Sequence, residues 1–73
     1  MKLIKSNVEG KLENFNKNED GTFLIKILGV DGDFHIYNNL KKVTKSLDIK
    51  VGDVIGEADE LFYTVKQQFS KFY

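Results

Sequence analysis

The chain has 73 residues, 41% hydrophobic and 12% aromatic, with eleven basic residues balancing eleven acidic ones and no cysteine. So short a polypeptide buries only about 60% of the surface its unfolded form exposes, so one small domain with one modest core is expected over residues 1–73. The composition excludes a disordered, charge-dominated tail, and the missing cysteines exclude a disulfide frame, a thiolate metal site and a thiol nucleophile.

Every basic residue is lysine, and no arginine is present to read guanine edges bidentately, so base-specific recognition of a duplex is not expected. A net charge of zero supplies no long-range field toward phosphate. After Met1-Lys2 the apolar run Leu3-Ile4 is too short for a signal-peptide core or a membrane span, which makes the cytoplasm the expected compartment, without membrane association.

In chain order, Val8 to Phe15 alternates with period two, with Val8, Gly10 and Leu12 on one face and Glu9, Lys11 and Glu13 on the other, the pattern of a half-buried strand. The polar run Asn16 to Gly21 ends in Asp-Gly and predicts a hairpin turn. Two β-rich runs, Thr22 to Val30 and Asp33 to Asn38, then flank Asp31-Gly32, which predicts a two-residue type I′ turn. Counting outward from that turn pairs Gly29 with Phe34, Leu28 with His35, Ile27 with Ile36 and Lys26 with Tyr37. Ile25, Ile27, Phe34 and Ile36 would share the buried face, and Lys26, Leu28, His35 and Tyr37 the exposed one. Gly29 beneath Phe34 suits a bent strand and hence a barrel.

Leu40, Val43 and Leu47 fall on one helical stripe, predicting a short helix or a pair of turns. A tight Gly52-Asp53 turn then leads into a strand with Val54, Gly56 and Ala58 on one face, and Glu60 to Lys66 reads as the last strand, with Leu61, Tyr63 and Val65 inward.

Five short strands, a helical element between the third and fourth, and the glycine-marked second strand together resemble the OB-fold, a small Greek-key barrel, over about residues 6–66. Lys50-Val51-Gly52-Asp53-Val54-Ile55 is similar to the turn leading into the fourth strand of many small nucleic-acid-binding barrels. With its asparagine- and lysine-rich composition and small size, the chain resembles the short single-stranded-DNA-binding OB proteins of bacteriophages and mobile elements from low-GC bacteria. An SH3-like barrel is the alternative fold.

The resemblance implies binding across the face of strands two and three, with bases stacked on rings and phosphates held by cations. The candidate residues are Lys26, Leu28, His35 and Tyr37, extended by Lys11 and Phe15 and by the basic stretch containing Lys41 and Lys42. The tail residues Phe69, Phe72 and Tyr73 are candidates for contact with a partner or a second copy.

The expected ligand is single-stranded nucleic acid, DNA before RNA; a small protein-binding or inhibitory module and a structural homo-oligomer are the alternatives. Asp31, Asp33 and His35 alternate, but Asp31 lies in the turn and hard cations need more oxygen ligands, so no metal is assigned. Ser6, Ser46 and Ser70 lack an elbow-like context and no phosphate loop is present, so no catalytic residue or cofactor is assigned.

Overall fold

The computed structural model describes residues 1–44 and 46–67. Among the described residues the chain is built of strands alone: β1 (Lys2–Lys5), β2 (Gly10–Lys17), β3 (Phe23–Gly29), β4 (Asp33–Leu40), β5 (Lys42–Val43), β6 (Asp48–Ile49), β7 (Val54–Ala58) and β8 (Phe62–Gln67). They form two antiparallel sheets, a smaller one in the order β1-β7-β5 and a larger one in the order β6-β2-β3-β4-β8. The all-β expectation holds. The expected OB-like barrel and its SH3-like alternative do not, because the strands divide into two open sheets and the predicted helix is absent.

The helix fails for local reasons. Eight residues make barely two turns, too few to offset nucleation, and Val43 and Thr44 are β-branched. The backbone pairs with β7 instead: Lys41 N–H donates to the Glu57 carbonyl at 2.7 Å and Thr44 N–H to that of Ile55 at 3.1 Å. Leu40 and Leu47, which one helical stripe would have buried together, are 0% and 73% exposed. Leu40 reaches the core because the β3–β4 register shifts between Phe23 and Ile25, where Asn39 adopts a positive φ of 69°.

The β2–β3 hairpin forms where Asp20-Gly21 placed it, with Asp20 Oδ1 accepting hydrogen bonds from both the backbone N–H and the hydroxyl of Thr22. The β3–β4 hairpin also forms, but one residue out of the expected register. Leu28 pairs with Phe34, Ile27 with His35, Lys26 with Ile36 and Ile25 with Tyr37.

A type I′ turn needs positive φ at both central residues, and here only Gly32 has one, at 87°. Asp31 instead accepts the Asp33 N–H on its carboxylate at 3.0 Å, and Gly32 N–H closes a turn onto Gly29 O at 2.9 Å. The loop is therefore Val30-Asp31-Gly32, a three-residue connection with its glycine in the left-handed position. A slip of one residue exchanges the faces of a strand. Phe34 and Ile36 consequently lie outside, while His35 and Tyr37 are buried beside Ile25 and Ile27.

Val8, Ile25, Ile27, Tyr37, Leu40, Ile49, Ile55 and Ala58 form the core, flanked by Ile4, Leu12, Phe15, Phe23, Val43 and Leu61. Ser6 ties β1 to the turn before β7: its N–H donates to Asp53 O and its carbonyl accepts from Gly52 N, both at 2.8 Å. That turn forms as the sequence suggests, with Lys50 N–H donating to the Asp53 carboxylate. Tyr63 and Val65, expected inward, share the inner side with Tyr37 and His35 but are 38% and 46% exposed, because β8 lies at the sheet edge.

Candidate nucleic-acid interface

The register of the larger sheet determines which side chains stand together on its outer face. Successive pairings line up Lys11, Leu28, Phe34 and Lys66 in one row across β2, β3, β4 and β8. The next row is Asn14, Lys26, Ile36 and Thr64, and beyond it Asn38 stands beside Phe62. At about 4.8 Å between strands, the first row spans roughly 14 Å with a lysine at each end and a ring and an aliphatic group between.

Leu28, Phe34, Ile36 and Lys26 are half-buried by their neighbours on the sheet, and Phe62 is 53% exposed. Lys26 Nζ lies 4.7 Å from the centroid of Phe34, which orders both side chains and keeps a cation beside a π face. Lys11 pairs with Asp48 at 3.4 Å, but both side chains are more than three-quarters exposed, so that pair holds weakly. Glu13, the residue inserted by the β2 bulge, is exposed on the same strand. Beside Lys11 a cleft of about 320 Å³ is lined by Glu9, Gly10, Val30, Asp48, Ile49 and Lys50.

Of the residues nominated from sequence, Lys26, Leu28 and Lys11 stand on this face. His35 and Tyr37 do not: they are 6% and 2% exposed. Phe15 turns inward too, stacking on Phe23 at 5.4 Å between centroids. Lys41 and Lys42 belong to the connection toward the smaller sheet, where Lys42 pairs with Glu57, and so stand apart from the outer face. Phe69, Phe72 and Tyr73 lie outside the described residues. Phe34, Ile36, Phe62, Thr64 and Lys66 were missed; all follow from reading the loop as three residues and carrying the pairing on to the last strand.

His35 and Tyr37 take part in an inner polar network. His35 Nε2 meets Asp31 Oδ2 at 2.9 Å, and Nδ1 meets Tyr63 Oη at 2.7 Å. With Asp31 ionised, Nε2–H donates to the carboxylate, while Nδ1 shares a hydrogen bond with the Tyr63 hydroxyl, which also faces Asn7 Oδ1 at 3.3 Å. Tyr37 Oη donates to Asn7 Oδ1 at 2.6 Å, and burial pushes its phenol pKa up. No buried side-chain polar atom among the described residues lacks a partner. This carboxylate–imidazole–phenol chain turns its terminal hydroxyl to His35 and Asn7, and so ties the edge strand β8 and the hairpin loop to β4 and to the β1–β2 connection.

Asp31 is held below its ordinary carboxyl value of 3.8, first by the Asp33 N–H and then by the hydrogen bond to His35. Between the depressed folded value and 3.8 the unfolded chain binds more protons, so stability rises with pH in that window. Asp31's contribution is complete above about pH 5 and is lost as pH falls through its folded pKa. Melting temperatures of wild type and Asp31→Asn are therefore expected to differ near neutrality and to converge in acid, as read by circular dichroism.

No protein-family model, curated protein or solved structure matches the chain. No helix among the described residues is long and apolar enough to cross a membrane, and no group of three or more His, Cys, Asp or Glu side chains among them could hold a metal ion.

Proposed function

We propose that the outer face of the larger sheet binds single-stranded nucleic acid, with bases stacking on Phe34 and Phe62 and phosphates held by Lys11, Lys26 and Lys66. One observation carries the reading: the row Lys11–Leu28–Phe34–Lys66 sets a ring and an aliphatic platform between two cations. Base–aromatic stacking is tolerant of sequence because every base has a π face, and it requires bases free of a partner strand. Lysines supply the phosphate contacts as point charges, without the planar fork that would read base edges. Binding is thus selective for single strands, indifferent to sequence and modest in affinity, in keeping with the zero net charge.

Fluorescence anisotropy of a labelled single strand of about 20 nucleotides, with duplex as comparator, tests this. Three lysine contacts predict a slope of log Kobs against log salt of about −2, at roughly 0.7 per contact on single strands. Lys66→Ala is expected to weaken binding equally for all sequences and to flatten that slope by about 0.7. Absence of binding at low salt, or equal binding of duplex, overturns the proposal and turns attention to a protein partner for the same face.

A further inference from the structure

Among the described residues, the sheet edges are guarded in all but one place. β5 and β6 are two residues long. β1 is flanked by Lys2 and Lys5 and carries an irregularity between Ile4 and Lys5. The stretch of β2 beyond β6 is interrupted by the bulge at Glu13. β8 has none of these devices: it is six residues long, pairs with β4 in unbroken register, contains no proline and carries one charge, Lys66. A long, regular, apolar edge of this kind is a template for pairing with another strand.

We propose that β8 pairs antiparallel with β8 of a second copy, forming a two-fold dimer in which the two larger sheets join edge to edge. The strand's own sequence favours this occupant, because Phe62-Tyr63-Thr64-Val65-Lys66 is complementary to itself. If the two-fold axis is perpendicular to the sheet, the outer faces stay on one side only when a residue lies against its own copy. With Thr64 on the axis, Phe62 stands opposite the partner's Lys66 and Tyr63 opposite the partner's Val65. Each is a favourable cross-strand pair: a cation against a ring, an aromatic against a β-branched side chain, and threonine against threonine. The first repeats the Lys26–Phe34 contact already present within the sheet. An axis at Val65 would set Tyr63 opposite Gln67 and Thr64 opposite Lys66, losing the cation–ring and aromatic–valine pairs, and one at Tyr63 would take half of the strand's residues out of the pairing.

On the nucleic-acid reading, on which this last step rests, the dimer makes one track. Phe34, Phe62 and Lys66 of one copy continue across the axis into those of the other, doubling the rings available to a single strand.

Sedimentation equilibrium at sub-millimolar concentration tests the dimer directly. Wild type is expected at twice the 8.4 kDa chain mass. Thr64→Lys, which sets like charges against each other on the axis, is expected at the single-chain mass with an unchanged circular dichroism spectrum. The register is read from one position: Phe62→Lys, facing the partner's Lys66, dissociates the dimer, whereas Phe62→Glu retains it. Deuterium exchange supplies the measurement that needs no variant, with protection of residues 62–66 rising with protein concentration. A wild type of single-chain mass, protection independent of concentration, or a dimer surviving both lysine substitutions overturns the proposal. A dimer that binds no single strand would remove the nucleic-acid reading alone, and a monomer that binds one would remove the dimer alone.

Discussion

Phe34→Ala is expected to weaken single-strand binding by about 1–3 kcal/mol, roughly 5- to 150-fold, while leaving the fold intact. Phe34 is partly exposed in the middle of the outer row, between Leu28 and Lys66, where the proposed stacking takes place. Its loss also frees Lys26, which lies over the ring, and removes the cation–π share of the same surface. Tyr37→Ala provides the contrast. That side chain is 2% exposed and anchors Asn7, so its truncation lowers stability by about 3–5 kcal/mol and touches binding only through unfolding. Anisotropy titrations paired with urea melts separate the two: Phe34→Ala shifts the first measurement, Tyr37→Ala the second. The opposite pattern would place the binding face on the other side of the sheet.

Ile27→Ala is expected to cost about 2–5 kcal/mol of stability, from lost burial and the cavity left behind. Ile27 is completely buried at the centre of β3, against His35 on one neighbouring strand and Leu12 on the other. At roughly 0.05–0.15 kcal/mol per residue, the whole chain is stable by only about 4–11 kcal/mol. The substitution therefore removes a large part of the total, and a substantial unfolded population is expected at 37 °C. Urea unfolding followed by far-ultraviolet circular dichroism and by tyrosine fluorescence measures the shift. A midpoint close to wild type would show that the inner row is not the core.

Several elements could be read directly from residues because local chemistry decides them. Asp20-Gly21 gives a turn through a carboxylate that caps Thr22 and a glycine at a φ of 89°. Gly52-Asp53 acts similarly ahead of β7, and the alternation of Ile25 and Ile27 marked two core positions.

Other elements depended on tertiary contacts that local pattern does not contain. Leu40, Val43 and Leu47 have a helical spacing, yet the carbonyls of β7 claim that backbone for a sheet. β1 and the two-residue strands β5 and β6 exist only because neighbouring strands pair with them. The two faces of β4 were exchanged for a sharper reason. Phe34 with Ile36, and His35 with Tyr37, each offer a ring and a second bulky group, so period two could not choose between them. Asn7, Asp31 and Tyr63 choose, by satisfying the polar atoms of His35 and Tyr37 within the interior.

Surface loops ordinarily tolerate insertion and deletion better than the strands they join. The connection Val30-Asp31-Gly32 also decides which face of β4 is buried. Drawing Val30 into β3, so that the loop shrinks to the two-residue turn that Asp-Gly favours with no residue lost, would rotate the whole of β4 by one side-chain step relative to β3. Phe34 and Ile36 would then be driven into the interior while His35 and Tyr37 were turned out to water, without a single substitution in either strand. In a family descended from this chain, the contacts of Asp31 with the Asp33 N–H and His35, which hold Val30 in the loop, would be inherited more strictly than the identity of Val30 itself, which is 76% exposed.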